Sequence, residues 1–145
     1  MTFETEVPTQ DEFAARIESA HAWLVAEVDE RVTGYAYASR FHPRAAYRWS
    51  AEVSIYLGET SRGRGLGRTL LRALLDEVTD RGFVNAFGGI ALPNDASVSL
   101  FESEGFRRIA LQEQVGYKLW AWHDVGWWQK KLRDPPIPPP EISPG

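Results

Sequence analysis

The sequence contains no cysteine, and this absence excludes several kinds of chemistry at once. Disulfide bonds, thiolate nucleophiles and cysteine-based metal sites all require that residue. Histidine is scarce as well, since the chain carries only three, at His21, His42 and His123. These three are scattered along the sequence, so we expect no histidine cluster and no bound metal.

An excess of basic charge and a long apolar run are also lacking. The formal net charge is −4, which argues against a nucleic-acid-binding protein. No stretch of about 18 apolar residues occurs, as a membrane-spanning helix would need. The acidic N-terminus TFETEVPTQDEF lacks the basic and apolar regions of a secretory signal. We therefore expect a cytoplasmic protein with no nucleic-acid and no membrane partner.

The composition that is present is that of an ordinary globular domain, with 43% hydrophobic and 25% charged residues. A chain of 145 residues is long enough for one domain with a buried core. The composition changes only near the end, where DPPIPPPEISPG holds six of the nine prolines. Because proline disfavours helices and central strands, we predict a domain over residues 1–132 and an extended proline-rich tail over residues 133–145.

Within the domain, the hydrophobic pattern alternates between strand and helix periods. Thr9 followed by Glu12 forms a capping box, which predicts a short helix to about Ala20. An apolar stripe from Leu66 predicts a second helix to near Gly82, and a third follows a cap at Asn94 or Asp95 and stops at Gly105. Strand patterns occupy residues 22–28, 32–39, 51–57, 84–92, 106–114 and 120–132. This order predicts an α/β fold around a mixed sheet with antiparallel members.

The segment SRGRGLGR, Ser61–Arg68, joins a predicted strand to a predicted helix. Unpaired amides and the helix dipole favour an anion at such a position, and glycines let the backbone approach it closely. The spacing does not fit the dinucleotide pattern G-x-G-x-x-G, and the Gly-Lys pair of a nucleoside-triphosphate loop is absent. The segment therefore indicates another phosphate ligand, or alternatively a tight turn with solvated arginines.

The pattern Arg62-x-x-Gly65-x-Gly67 resembles the pyrophosphate loop of the GCN5-related N-acetyltransferases. The later Asn94…Leu100-Phe101-Glu102-x-x-Gly105-Phe106 is similar to a second segment of that family. WLVAEVD, GYAYA, AYRWSAEVSIYL, ALPNDASVSL and GYKLWAWHDVGWWQKKL resemble one subfamily, the phosphinothricin and methionine sulfoximine acetyltransferases. The resemblance extends from Phe3 to Leu132. It implies the family's twisted, mostly antiparallel sheet flanked by helices, and an acyltransferase that acetylates the α-amine of a small amino acid or analogue.

The same resemblance implies acetyl-CoA as the cofactor and assigns the residues that bind it. The glycine–arginine loop would hold the pyrophosphate, and the end of the preceding strand would pair with the pantetheine amide and the thioester carbonyl. Asn94 would contact the cofactor, cap its helix, or do both. The implied cofactor-binding residues are Ile55, Tyr56, Leu57, Arg62, Gly63, Arg64, Gly65, Leu66, Gly67, Arg68 and Asn94.

For the acceptor side, the resemblance implies that Glu52 is the general base, against the alternative of a surface ion pair. The residues that we expect to contact the acceptor are His42, Arg44, Tyr47, Val53 and Ser54. Among these, the guanidinium of Arg44 suits a carboxylate. The resemblance also implies that Phe3 and Glu6 correspond to acceptor-site residues of the relatives. His123 and Asp124 do not form a catalytic dyad, because adjacent strand residues point to opposite faces.

Two features depart from the family pattern. Phe101 stands where many relatives carry a proton-donating tyrosine, so either Tyr117 or water protonates the leaving thiolate, or it leaves without help. The first strand and helix of the relatives have no counterpart before Phe3. This predicts an exposed sheet edge covered by a second copy in a homodimer, or else a start site placed too late or a truncated chain. Both departures allow an alternative function, a non-catalytic acyl-CoA-binding module that has lost its acceptor site.

Overall fold

A computed structural model of the chain describes residues 22–28, 31–58 and 65–144. The helix predicted from Thr9 to Ala20 lies outside the described residues. The same holds for Phe3 and Glu6, and for Arg62, Gly63 and Arg64 of the glycine–arginine loop.

The described part of the chain forms six strands and two α-helices. The strands are β1 (Ala22–Val28), β2 (Arg31–Arg40), β3 (Ser50–Leu57), β4 (Asn85–Ala91), β5 (Arg107–Lys118) and β6 (Ala121–Lys131). The helices are α1 (Leu66–Asp80) and α2 (Asp95–Ser103), and a short 3₁₀ helix, Ala45–Tyr47, follows β2. Apart from this 3₁₀ helix, each described element lies where the sequence predicts one.

The strands form one sheet in the order β1-β2-β3-β4-β6-β5. Each neighbouring pair is antiparallel except β3 and β4, which run parallel. A parallel pair needs a crossover connection, and α1 supplies it between β3 and β4. The predicted α/β fold with a mixed, mostly antiparallel sheet is therefore confirmed.

The parallel pairing of β3 with β4 is short. It joins Ser50–Glu52 to Asn85–Phe87 and then stops, whereas β3 stays paired with β2 as far as Leu57. The two central strands thus separate after Glu52. A cleft opens in the sheet at the carboxyl ends of β3 and β4, and this separation positions the candidate site.

Helix α1 covers one face of the sheet. Its buried stripe of Leu70, Leu71, Leu74, Leu75 and Val78 belongs to the same core cluster as small residues of β2 and β3. Burying each such leucine or valine contributes roughly 1.5–3 kcal/mol. The small side chains of Ala36, Ala38 and Ala51 let the helix approach the sheet closely. The single apolar stripe seen in the sequence is therefore the face that forms the core.

Strand β5 is longer than the sequence predicts. The predicted strand ended at residue 114, but β5 continues to Lys118 after an irregularity in its pairing with β6 between Gln112 and Gly116. Within this irregularity Gln114 has φ +46°, and its N–H donates to Asp124 Oδ1 at 2.8 Å. Because the strand is exposed over most of its length, it lacks the apolar alternation that would have revealed its full extent.

The described residues of the proline-rich tail form no helix and no strand, and they lie against the domain. Trp49 Nε1 donates a hydrogen bond to the carbonyl oxygen of Pro140 at 2.7 Å. The Ser143 N–H donates to the carbonyl oxygen of Arg81 at 2.9 Å. Ile142 packs against the core cluster. In the described part of the chain, neither helix is long and apolar enough to cross a membrane.

Candidate active site

The separation of β3 from β4 creates a cleft of about 380 Å³. Residues of α2 and of every strand except β1 line this cleft. They are Tyr37, Glu52, Val53, Ser54, Ile55, Tyr56, Gly89, Ile90, Ala91, Asn94, Ser97, Phe101, Gln112, Val125 and Trp127. Of the residues predicted for the site, the structure therefore brings Glu52, Val53, Ser54, Ile55, Tyr56 and Asn94 together.

Beyond Glu52 the edge of β3 faces this cleft rather than β4. From Val53 to Leu57 the strand pairs with β2 on one side, while its pairing with β4 on the other side has ended at Glu52. The backbone groups along a strand edge can bind an extended, amide-containing ligand in the way another strand would bind. The backbone of Ile55, Tyr56 and Leu57 is thus suited to the role that the sequence predicts.

The start of α1 explains two glycines of the pattern. Gly65 is the N-cap and adopts φ +74°, a left-handed conformation that favours glycine. A Cβ at Gly67 would lie 2.9 Å from Leu57 Cδ1 and 3.3 Å from Leu100 Cδ2, so glycine permits close packing of α1 against β3 and α2. The first helical amides have no partners within the helix and remain suited to an anion.

Arg68 is not a free cation at this helix start. Its Nε donates to Glu104 Oε1 at 2.8 Å, and Arg72 bonds the same carboxylate oxygen at 3.1 Å. Glu104 is only 7% exposed. Burial alone would raise the pKa of its carboxyl, but the hydrogen bonds and charges of the two arginines outweigh burial and lower the pKa. Part of the predicted pyrophosphate charge is therefore engaged in joining α1 to the end of α2.

Glu52 stands where the cleft begins. It is the last β3 residue paired with β4, opposite Phe87, and its side chain is half-buried. Among the described residues, no cation forms an ion pair with it, which speaks against the surface ion pair that the sequence left open. Burial raises the pKa of its carboxyl. A carboxylate of raised pKa in a cleft has the properties of a proton acceptor.

The predicted acceptor residues divide into two groups. Val53 and Ser54 line the cleft, although the Val53 side chain is 2% exposed and belongs to the core. His42, Arg44 and Tyr47 lie between β2 and β3 and are not among the lining residues. There His42 Nδ1 accepts a hydrogen bond from the Arg44 N–H at 3.1 Å, and its ring meets Tyr47 edge-on.

The candidates for the general acid also occupy different places. Phe101 lines the cleft and is almost fully buried. Tyr117 is 51% exposed on the β5–β6 hairpin, where its ring contacts Trp122, and it does not line the cleft. Asn94 caps α2, since its Oδ1 accepts a hydrogen bond from the Ser97 N–H at 3.1 Å.

Sequence reasoning missed a pair of glycines in β4 and the two rings that lie on them. A Cβ at Gly88 would overlap the Phe101 ring, and one at Gly89 would lie 3.0 Å from the indole of Trp127. The two rings thus contact β4 from opposite faces, beside the place where β3 has separated. Adjacent glycines within a strand signal a close approach of this kind, although they do not identify the approaching side chains.

Comparison with known proteins agrees with this geometry. The model of the acetyltransferase (GNAT) family matches residues 2–106. Over 147 residues the chain is 38% identical to the phosphinothricin N-acetyltransferase of Streptomyces viridochromogenes, covering 99% of this chain and 80% of that protein. The chain belongs to the GNAT acetyltransferase family. The family resemblance read from the sequence is confirmed.

Two further relatives extend the comparison. This GNAT protein is 36% identical over 115 residues to an L-methionine sulfoximine/L-methionine sulfone acetyltransferase of Salmonella typhimurium, covering 79% of this chain and 67% of that one. It superimposes with a TM-score of 0.86 and 34% identity on a phosphinothricin acetyltransferase from Sinorhizobium meliloti in complex with acetyl-CoA, covering 90% and 74% of the two chains. The protein is therefore an N-acetyltransferase, and its cofactor is acetyl-CoA. The cleft-facing edge of β3 and the start of α1 fit that cofactor.

Proposed function

We propose that this GNAT protein acetylates the α-amine of a small amino acid or analogue of the phosphinothricin or methionine sulfoximine and sulfone type. The transfer is direct, and Glu52 is the general base. The observation that carries the proposal is the position of Glu52, a half-buried carboxyl without a cationic partner among the described residues, where β3 leaves β4. The names of the relatives support the class of acceptor.

The proposed role of Glu52 follows from the state of the acceptor. An amino acid's α-amine is protonated at neutral pH and cannot attack a carbonyl carbon until the proton is removed. Because burial raises the pKa of Glu52, its carboxylate is a stronger base than an exposed one. It accepts the proton directly or through one water. The chain has no cysteine to carry an acyl group as a thioester, which favours transfer within a complex of both substrates.

On the cofactor side, acetyl-CoA supplies the acetyl group as an activated thioester. We assign its pantetheine arm to the edge of β3 that faces the cleft, at Ile55, Tyr56 and Leu57, and its pyrophosphate to residues 62–68. The amide of Asn94 contacts it from the start of α2 while the Asn94 oxygen caps that helix. Phe101 has no proton to give, and Tyr117 lies outside the cleft lining, so water protonates the thiolate or the thiolate leaves unaided.

The alternative is a non-catalytic acyl-CoA-binding module, and one observation favours it. Phe101 occupies the cleft where a proton donor would assist the leaving thiolate, and its ring is fixed against Gly88. A protein that binds acetyl-CoA without turnover has no need of a general acid. The two functions predict the same cofactor site and differ only on the acceptor side.

Two measurements on the full chain distinguish these functions. Calorimetry with CoA tests the cofactor site, and the release of free thiol from acetyl-CoA tests turnover with phosphinothricin, methionine sulfoximine, methionine sulfone and ordinary amino acids. We expect CoA binding and thiol release with at least one of these amines, together with the mass of its N-acetyl product. Binding of CoA without turnover of any amine would establish the module instead.

A further inference from the structure

The proline-rich tail is attached to the domain at the end of α1. Near the beginning of the tail, the guanidinium of Arg133 donates a hydrogen bond to the carbonyl oxygen of Thr79. Near its end, the Ser143 N–H donates to the carbonyl oxygen of Arg81 at 2.9 Å. Both acceptors lie in or directly after the last turn of α1. The tail is therefore held on both sides of Pro140, and this fixes the position of the Pro140 carbonyl group.

The carbonyl group of Pro140 binds Trp49, the residue directly before β3. The indole N–H of Trp49 donates to the Pro140 oxygen at 2.7 Å. An indole N–H can only donate, and the Trp49 side chain is partly buried, so the tail supplies the acceptor that this group needs. The carbonyl oxygen of Trp49 accepts the Val84 N–H at 2.8 Å, just before β4. Trp49 thus joins the tail to the two central strands of the sheet.

Trp49 is also the last residue of the β2–β3 segment, residues 41–49, and Arg48 connects it to the rest of that segment. The Cζ atom of Arg48 lies 3.9 Å from the centroid of the Trp49 ring, a cation–π contact. Arg48 Nη1 also donates a hydrogen bond at 3.0 Å to the carbonyl oxygen of Ala45, where the 3₁₀ helix begins. A continuous chain of contacts therefore runs from the tail through Trp49 and Arg48 to the 3₁₀ helix.

The 3₁₀ helix holds together the three side chains of this segment that the sequence assigns to the acceptor. The Tyr47 N–H donates to the carbonyl oxygen of Arg44 at 3.0 Å, and the Arg44 N–H donates to His42 Nδ1 at 3.1 Å. The rings of Tyr47 and His42 meet edge-on, with centroids 4.6 Å apart. Because residues 43–48 are exposed, water competes for these contacts, and the arrangement needs support from the ends of the segment.

Both ends of the β2–β3 segment lie beside Glu52. At one end, Phe41 stacks on Phe87 with ring centroids 4.2 Å apart, and Phe87 is the residue paired with Glu52. At the other end, Trp49 precedes Glu52 by three residues in the sequence. An acceptor whose amine reaches Glu52 is therefore adjacent to both ends of the segment.

We propose that the proline-rich tail positions the β2–β3 segment for binding of the acceptor, and that Trp49 is the positioning residue through which the tail acts. The proposal rests on the amino acid acceptor and on the role of Glu52 proposed above. Neither Trp49 nor the tail contacts the acceptor in this arrangement. The tail keeps the segment ordered before the acceptor arrives, so that less conformational entropy is lost when the acceptor binds.

The cofactor site lies at the other end of α1. A helix of 15 residues is roughly 22 Å long; the pyrophosphate is assigned to residues 62–68 at its start, whereas the tail binds at its end. Loss of the tail contact should therefore raise the KM for the acceptor and leave the KM for acetyl-CoA unchanged. The kcat should stay close to that of the wild type, because Glu52 is not displaced. A protein that is only destabilised behaves differently, since a smaller folded fraction lowers kcat and leaves both KM values unchanged.

Two variants remove the contact from its two sides. Trp49→Phe keeps a ring beside Arg48 but removes the indole donor, and deletion of residues 138–145 removes the Pro140 acceptor. We expect each to raise the KM for phosphinothricin about 5-fold or more, as the loss of one hydrogen bond would. In the shortened chain, Trp49→Phe should raise the KM no further, because both changes remove the same interaction.

Trp128→Phe is the matched control. It removes an indole hydrogen bond of the same kind, from Trp128 Nε1 to Glu102 Oε2 at 3.1 Å, and should leave the KM for phosphinothricin unchanged. A wild-type KM in Trp49→Phe overturns the proposal, and so do effects of Trp49→Phe and the deletion that multiply when combined. Ile142 packs against the core cluster, so if the shortened chain does not fold, Trp49→Phe and its control decide.

Hydrogen exchange of the β2–β3 segment tests the role of the tail without an acceptor. The N–H groups of Tyr47 and Arg48 are bonded within the 3₁₀ helix, and they should exchange faster in Trp49→Phe than in the wild type. Unchanged exchange overturns the role of the tail and leaves the proposed function standing. Faster exchange in the variant, together with no turnover of any amine by the wild type, refutes the proposed function and with it the positioning of an acceptor.

Discussion

At the scale of one residue, the half-buried carboxyl of Glu52 lowers the stability of the fold when it is ionised. Because burial raises its pKa in the folded protein, the carboxyl binds its proton more tightly there than in the unfolded chain. The fold therefore loses stability as the pH rises through the window between the unfolded and the folded pKa. The ionised side chain that the proposed chemistry needs is the less stable form.

Because the pKa of Glu52 is raised, we predict that Glu52→Gln is more stable than the wild type at neutral and higher pH. The neutral amide avoids the cost of burying a charge, so its midpoint of thermal unfolding at about pH 8 should lie above that of the wild type. At pH values below the ordinary pKa of a carboxyl, near 4, the two midpoints should converge. A variant that is less stable at about pH 8 would show that the carboxylate is stabilised by contacts in the fold.

The pKa of Glu104 is shifted in the opposite direction to that of Glu52. Although burial raises its pKa, Arg68 and Arg72 lower it overall, so the ionised carboxylate stabilises the fold above the unfolded pKa and this stabilisation is lost as the pH falls. The arginine side chains are 56% and 59% exposed, and solvent screens their charges. We therefore predict that Glu104→Gln lowers the free energy of unfolding by about 1–2 kcal/mol at neutral pH.

Urea unfolding of Glu104→Gln at several pH values checks this prediction. The difference from the wild type should shrink as the pH falls below the ordinary carboxyl range. Glu77→Gln is the matched control, because Glu77 forms an ion pair with Arg81, the residue that follows α1, and its side chain is more exposed than that of Glu104. A loss in Glu77→Gln that equals the loss in Glu104→Gln would contradict the special role of the buried carboxylate.

At the scale of elements, some features could be read from the sequence and others could not. The stripe of α1, the cap at Asn94 and the strand alternation of β3 are local patterns, so their physical causes are visible in the sequence itself. The separation of β3 from β4 is a tertiary property, and only the pairing with pantetheine that the family resemblance implied pointed to it. The places of Gln112 and Trp127 depend on the register of three strands, and no local pattern reveals that register.

The glycine pair of β4 gives an element-scale prediction. An alanine at Gly88 would overlap Phe101, which is 3% exposed and has no room to move, so we expect Gly88→Ala to lose about 1–3 kcal/mol in the free energy of unfolding. Gly89→Ala should lose less, because the Trp127 ring that it meets lies at the open cleft. Urea unfolding of the two variants measures the difference. Equal losses would contradict the different surroundings of the two positions.

At the scale of the whole molecule, β1 and β5 are the edge strands of the described sheet. The β5–β6 hairpin ends in Leu119 and Trp120, which are 75% and 93% exposed and both have positive φ. Large apolar side chains at such a tip are typical of a surface that contacts another protein. The homodimer and the cytoplasmic location stay predictions.

Light scattering coupled to size exclusion measures the assembly directly. We predict a mass of twice 16.4 kDa for the native chain. Replacing Trp120 with serine should shift the mass toward one chain if the hairpin tip forms the interface. A native mass of one chain at every concentration would contradict the homodimer.

The central claim is that Glu52, in the cleft between β3 and β4, removes the proton from the acceptor amine. The most direct test is the pH dependence of kcat/KM for phosphinothricin in the wild type and in Glu52→Gln. We predict a loss of roughly 100-fold or more in the variant near neutral pH, because general base catalysis is lost. The loss should diminish at high pH, where the amine is deprotonated without help. Wild-type values of kcat/KM in Glu52→Gln at every pH would contradict the claim.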